Sequence, residues 1–187
     1  SSLEWHDVES YVTNEKIGSF SITSSNKYKR YEPEKYELAV MMDCSQCPIH
    51  EDRKDLFNFY VDKHSKTLRA NGVEPSLLMT WAYKDVPEMI DGLSSAYISA
   101  GNRNKVMVFP AGLAFKLAQD EIPEIDLYTP DKRHPSKAGT YLMAAVIYSS
   151  IYNVSPIGNS YDYGLGQETQ SRLQEIAWAA LNSYLDR

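Results

Sequence analysis

Tyr36-Glu37-Leu38-Ala39-Val40-Met41-Met42 is the stretch whose reading decides the fold. It is a nearly continuous apolar run of strand length with no polar alternation, which predicts a strand covered on both faces. The pattern after it is regular. Glu51–Ala70 reads as a helix, with Leu56, Phe59, Tyr60 and Lys63 on related turns and a stop at Asn71-Gly72. Ser76–Trp81 is a second strand, and Val86–Ala100 a helix with Pro87 in its first turn. Lys105–Pro110 is a third strand, followed by a helix from Gly112 to Gln119. Ser136–Tyr152 predicts an Ala-rich apolar helix with Ser136 as N-cap. Gln167–Leu185 is amphipathic, its Leu173, Ile176, Ala177, Ala180, Leu181 and Tyr184 recurring at helical spacing.

Strands alternating with helices at roughly thirty-residue spacing imply βαβ crossovers, hence a parallel sheet with helices on both faces. The expected fold class is α/β, a three-layer α/β/α sandwich, with residues 1–187 forming one domain. Upstream, the residues to about Pro33 are polar and mixed, and Ser19–Ser25 alternates like a short edge strand with Phe20 and Ile22 on one face. There is no internal repeat and no low-complexity tract.

The 187 residues are 43% hydrophobic and 24% charged, ordinary for a chain that buries a proper core. Nineteen basic residues against 25 acidic ones leave a net charge of −6, and no basic cluster exceeds Lys27–Arg30. A general nucleic-acid or anionic-membrane binder carries the opposite balance, so neither partner is expected. No apolar run approaches the ~20 residues of a membrane-spanning helix. Ser1-Ser2-Leu3-Glu4-Trp5-His6 has neither an initiator Met nor the look of a signal peptide. The chain is therefore expected to be a processed or excised piece, periplasmic or secreted if a signal peptide was removed upstream. Two cysteines rule out a disulfide scaffold.

Parallel sheets carry their chemistry at the carboxyl ends of the strands, which directs attention to Met42–His50, Trp81–Pro87, Pro110–Gly112 and Tyr128–His134. Asp131-Lys132-Arg133-His134-Pro135-Ser136 is the sharpest constellation. An Asp three residues before a His in a turn orients the imidazole and stabilises its protonated form, leaving the His to act as general base. Read blandly, the same residues are a solvated loop and a helix cap. Cys44-Ser45-Gln46-Cys47-Pro48 follows a strand and precedes a helix. It reads as ordinary thiols or a local disulfide, as a redox pair, or as a metal site with His50 as third ligand. His6 and His64 are expected at the surface or in packing. Tyr83, Tyr128, Tyr161 and Tyr163 are candidates for a sugar-facing aromatic rim. Gly158-Asn159-Ser160-Tyr161 spells a nucleophile block but lacks an apolar strand before it, so it reads as a loop.

Asp131-Lys132-Arg133-His134-Pro135-Ser136-Lys137-Ala138-Gly139-Thr140-Tyr141-Leu142 resembles the last block of the SGNH (GDSL-type) hydrolase family, in which Asp and His complete a serine triad. Leu78–Ala82 and Val108–Ala114 look like the strand ends lining the pocket in bacterial members. Ser2–His6 is similar to a segment following the second block, and Leu173–Trp178 to the family's closing helix. The resemblance implies a flavodoxin-like sandwich and an esterase, lipase, acetylesterase or carbohydrate deacetylase without metal or organic cofactor. By that resemblance His134 is base and acid, Asp131 orients it, and Trp81 and Ser45–Gln46 border the pocket.

Two departures stand out. The strand ending in Gly-Asp-Ser or Gly-Asn-Ser, which carries the nucleophile, belongs before Leu3 and is absent from this sequence. Met42 stands where the family places a Gln oxyanion donor, and Met cannot donate a hydrogen bond; Ser45 and Gln46 are expected to substitute. The resulting expectation is an SGNH-type esterase, a carbohydrate O-acetylesterase or related carboxylesterase, with its nucleophile on a complementing N-terminal segment. The alternatives are a non-catalytic SGNH-like binding module and a thiol–disulfide oxidoreductase using Cys44 and Cys47. Upstream sequence carrying the nucleophile would exclude the first, and an insulin-reduction assay tests the second.

Overall fold

The computed structural model describes residues 2–13, 20–22, 28–30 and 36–186. A 3₁₀ turn at Leu3–Trp5 leads into α1 (Val8–Thr13), and β1 (Phe20–Ile22) pairs antiparallel with β2 (Tyr28–Arg30). The expected edge strand over Ser19–Ser25 thus has its centre in β1, and its two ends lie outside the described residues. β3 (Leu38–Met41), β4 (Glu74–Leu78) and β5 (Met107–Phe109) form one parallel sheet in that order. Met41 is level with Leu77, and Leu77 with Val108. The crossovers run through α2 (Lys54–Ala70) and α3 (Met89–Asn104), and α4 (Ala111–Glu121), α5 (Lys137–Tyr152) and α6 (Gln167–Leu185) complete the chain.

The strands separate two apolar layers. Met41, Leu77, Met79 and Val108 face α2 and α3, where Phe57, Val61, Leu68, Leu93 and Tyr97 are buried. Leu78 and Phe109 face the other way, onto Met143 and Ile147 of α5. Outside them α4, α5 and α6 share a cluster that includes Phe115, Leu142, Val146, Leu173 and Ala177, all fully buried. The period-2 alternation along β4 and the period-3.6 stripes on the helices meet, giving a three-layer α/β/α sandwich. No described helix is long and apolar enough to cross a membrane.

Three differences from the sequence expectation have physical causes. The ladder of β4 starts at Glu74 rather than Ser76, since Pro75 sits in the strand where only its carbonyl is needed. Of Met79–Trp81, expected as strand, Met79 still donates its N–H to the Phe109 carbonyl (3.0 Å), whereas Thr80 and Trp81 lie beyond the end of β4 and Trp81 reaches the Arg133 carbonyl. The largest correction concerns Tyr36–Met42. Only Met41 is buried, while Val40 is 46% and Met42 42% exposed. β3 is the edge of the sheet among the described residues, and α5 reaches Leu78 and Phe109 without extending over Val40. An open groove of about 420 Å³ follows this edge, lined by Tyr36, Val40, Met42, Leu3, Val8 and Tyr11 among others.

Candidate active site

The segment from Leu127 to Ser136 folds back on itself. Ser136 N–H donates to the Leu127 carbonyl (2.8 Å), Thr129 N–H to the His134 carbonyl (2.9 Å), and Lys132 N–H to the Thr129 carbonyl (2.9 Å). Ser136 then caps α5, its Oγ accepting from Gly139 N–H at 3.2 Å while donating to the Asp126 carbonyl at 2.7 Å. The base of this loop is held tightly. A Cβ placed on Gly139 would stand 2.3 Å from the Leu127 carbonyl oxygen, so only glycine admits the close approach of α5.

Asp131 and His134 stand at the tip. Asp131 Oδ1 accepts from the backbone N–H of Arg133 (2.8 Å) and His134 (3.0 Å) and from the Thr129 hydroxyl (2.7 Å). Its Oδ2 lies 2.5 Å from His134 Nδ1. Those donors, the imidazole first, hold the Asp131 carboxyl well below the usual carboxylate range. An ionised Asp131 favours the tautomer with the proton on Nδ1, which leaves the Nε2 lone pair facing outward in the neutral ring. The imidazole is 79% exposed, so Nε2 meets open solvent rather than an enclosed pocket. Among the described residues no Ser, Thr or Cys side chain hydrogen-bonds that ring.

Side chains from β4's exit fix the loop to the sheet. Trp81 Nε1 donates to the Arg133 carbonyl (2.9 Å), and Lys84 N–H donates to the Lys132 carbonyl (3.0 Å). Lys84 also pairs with Asp126 at 2.7 Å, lowering that carboxyl's pKa, and Arg133 reaches Asp85 at 3.2 Å while lying 4.2 Å over the Tyr83 ring. The Trp81 ring stacks on Phe115 at 4.7 Å, and Phe115 meets Tyr128 edge-on at 5.7 Å. Trp81 is therefore beside the Asp131–His134 loop. Thr129 and Lys84 escaped the sequence reading. A Thr two residues before an Asp in a Pro-containing turn was the local signal for Thr129. Lys84 is 42 residues from its partner and left none.

Ser45 and Gln46 lie past the end of β3 in a short turn, closed by a disulfide between Cys44 and Cys47 and by a bond from Cys47 N–H to the Cys44 carbonyl (3.2 Å). No hydrogen bond joins Ser45 or Gln46 to His134. Buried Asp43 supports the turn, its Oδ1 accepting from Cys44 N–H (2.8 Å) and Leu3 N–H (3.1 Å). The structure commits both sulfurs to the disulfide, and His50 instead accepts from Asp52 N–H at 3.2 Å. Met42 faces the groove beside β3. His64 is buried, 2.9 Å from the Leu3 carbonyl through Nε2, which makes it a packing residue.

The four tyrosines do not form one rim. Tyr128 is buried, donating to the Ala82 carbonyl at 2.8 Å, and Tyr83 lies under Arg133. Tyr161 and Tyr163 stand together elsewhere, against α5. Gly158–Tyr161 is a loop, without a strand before it.

No protein-family model matches the sequence, and no curated protein matches it. Two solved structures are similar. One is a DUF4886 family protein from Bacteroides uniformis, 16% identical, with a TM-score of 0.66 over 96% of this chain and 80% of its own. The other is a protein from Slackia heliotrinireducens described as a candidate SGNH hydrolase, 22% identical, with a TM-score of 0.52 over 62% of this chain and 65% of its own. At these identities the likeness speaks for the backbone alone: the chain has an SGNH-like three-layer fold.

Proposed function

We propose that this chain provides the Asp–His half of an SGNH-type ester hydrolase acting on a carbohydrate O-acetyl group or a related carboxylic ester. The observation that carries the reading is the 2.5 Å contact between Asp131 and His134 Nδ1, with the opposite face of the ring open at the carboxyl edge of a parallel sheet. His134 Nε2 takes the proton of a serine hydroxyl as its oxygen attacks the ester carbonyl carbon. The imidazolium, balanced by Asp131, returns that proton to the departing alkoxide. Water repeats the sequence on the acyl-enzyme. Ser45 and Gln46 supply oxyanion donors where Met42 has none to offer, and Trp81 walls the pocket. The nucleophile rides on a complementing segment outside these residues, lying along β3. The unpaired edge and the exposed Val40 and Met42 support that seat.

The test compares p-nitrophenyl acetate turnover by residues 1–187 with turnover by the chain preceded by its upstream coding sequence. The short form is expected to work barely faster than free imidazole and the long form with saturation, abolished by His134→Ala. Strong saturable activity from residues 1–187 alone would overturn the placement of the nucleophile. Mapping a phosphonate adduct would then choose among Ser45, Ser160 and Cys44. The formed Cys44–Cys47 disulfide favours one second reading, thiol–disulfide exchange. Insulin reduction at a rate abolished by changing both cysteines to Ser would establish it.

A further inference from the structure

A second concave site shares no lining residue with the Asp131–His134 tip. Between α5 and the loop of residues 156–163 is a cleft of about 340 Å³, at the small end of the ~300–1,000 Å³ usual for ligand pockets. Tyr141, Tyr148, Tyr161 and Tyr163 supply its rings, and Thr140 and Asn159 its other polar groups. Tyr161 is 67% and Tyr163 41% exposed, a large aromatic surface to leave in water. Among the described residues no charged side chain lines the cleft; Lys137 stands at its border, with Nζ 5.7 Å from the Tyr163 ring centroid.

The loop is built to hold these rings still. Gln174, only 2% exposed, accepts from Gly158 N–H (3.0 Å) and donates through Nε2 toward the Asn159 carbonyl (2.8 Å) and the Tyr141 hydroxyl (2.7 Å). Gln170, also buried, donates to the same Asn159 carbonyl. Asn159 Oδ1 accepts from Tyr161 N–H at 2.9 Å. Tyr163 itself adopts a left-handed backbone, φ 54°, a conformation that a bulky residue keeps only where its surroundings impose it. Two buried amides and a strained tyrosine are therefore spent on a loop whose Tyr161 and Tyr163 rings stand exposed among the described residues. Tyr141 adds an independent observation. Its oxygen accepts from Gln174, and its own hydrogen has no acceptor among the described residues although the residue is buried. A donor in that position asks for an acceptor from the cleft.

We propose that this cleft is a binding site for a neutral sugar ring. The C–H face of a pyranose packs on a fixed tyrosine plane, and its hydroxyls meet Tyr141, Thr140 and Asn159. A phosphate or carboxylate finds no positive group inside the cleft. An alkyl chain leaves the Tyr141 donor and the Asn159 amide without partners. Rigid tyrosines bind at low entropic cost, which suits a weakly held, well-solvated ligand. The site is distinct from the Asp131–His134 pair and stands whether or not that pair is catalytic.

The experiment titrates the chain with neutral oligosaccharides of the cello, xylo, malto and chito series, followed by calorimetry and by amide shifts in NMR. At least one series is expected to bind with a Kd near or below about 1 mM. Tyr161→Ala and Tyr163→Ala should each weaken it by about three- to tenfold, the range for an aromatic contact. Tyr141→Phe, which keeps the ring and the fold, should also weaken it, and His134→Ala should leave it unchanged. Silence from every series, or affinity indifferent to the tyrosine substitutions, would overturn the proposal. So would tighter binding of hexanol than of any sugar at the same residues.

Discussion

The two flanks of the sheet are finished to different degrees. Beyond β5, the α4–α5–α6 layer is closed: Phe115, Leu142, Val146 and Leu173 are wholly buried, and buried Gln174 is fully engaged in hydrogen bonds. Beside β3 the same sheet ends in exposed Val40 and Met42 and an apolar groove. A parallel strand normally has cover on both faces and a neighbour on each side. The closed flank therefore carries the stability and aims the Asp131–His134 pair. The open flank leaves the β3 edge without a neighbouring strand among the described residues.

The comparison is broken most directly at the pair itself. In a form that turns over ester, His134→Ala should lower kcat by about 10⁴-fold or more and Asp131→Asn by nearly as much, with unchanged circular dichroism. Retained activity in either variant would detach the closed flank from the chemistry. Next in size is Phe115→Ala, which empties the space between Trp81 and Tyr128 and should cost about 3–5 kcal/mol in urea unfolding.

A smaller effect concerns the junction at Leu3, whose N–H is held by Asp43 and whose carbonyl lies against His64. Burial lowers the His64 pKa. The unfolded chain therefore takes up a proton first as pH falls, so this contribution is intact above about 6.5 and declines below it, toward the folded value. The melting temperature should drop on moving from about pH 7 to about pH 5, less so in His64→Gln. Changing Cys44 and Cys47 together to Ser should leave ester turnover within a few-fold, and complete loss with an intact fold would place the disulfide in the mechanism. Smallest of all, Val40→Ser should shift stability by no more than about 0.5 kcal/mol, because nearly half of the residue is already in water. A cost like that of Phe115→Ala would mean that the β3 flank is covered after all.

The sequence was most legible where the physics is local. Apolar runs located all three strands of the parallel sheet, and Ser136 as a cap located the start of α5, because each signal lies within a few residues of its effect. The Asp131–His134 contact was readable for the same reason, being closed by a single turn. Burial was misjudged along Tyr36–Met42 because an apolar run records what a strand can bury, not whether a neighbour is present to bury it. The tyrosine grouping failed because composition gives no distances: Tyr128 turned inward to Ala82, whereas Tyr161 and Tyr163 settled on α5. The state of Cys44 and Cys47 stayed open because spacing permits a disulfide without requiring one.

Gly139 bears on how this chain can change over time. It touches no substrate in the proposed reaction and presents no chemistry, yet a single added methyl group would collide with the Leu127 carbonyl and press on Phe115 and Pro135. The backbone would have to yield, and the part of it nearest is the stem of the loop that aims His134. Displacements of about an ångström at a reacting group cost on the order of 10²-fold in rate. Position 139 is thus a steering point remote from the wheel: inheritance can vary the exposed residues around the imidazole widely, but the smallest enlargement here would turn the whole tip out of line.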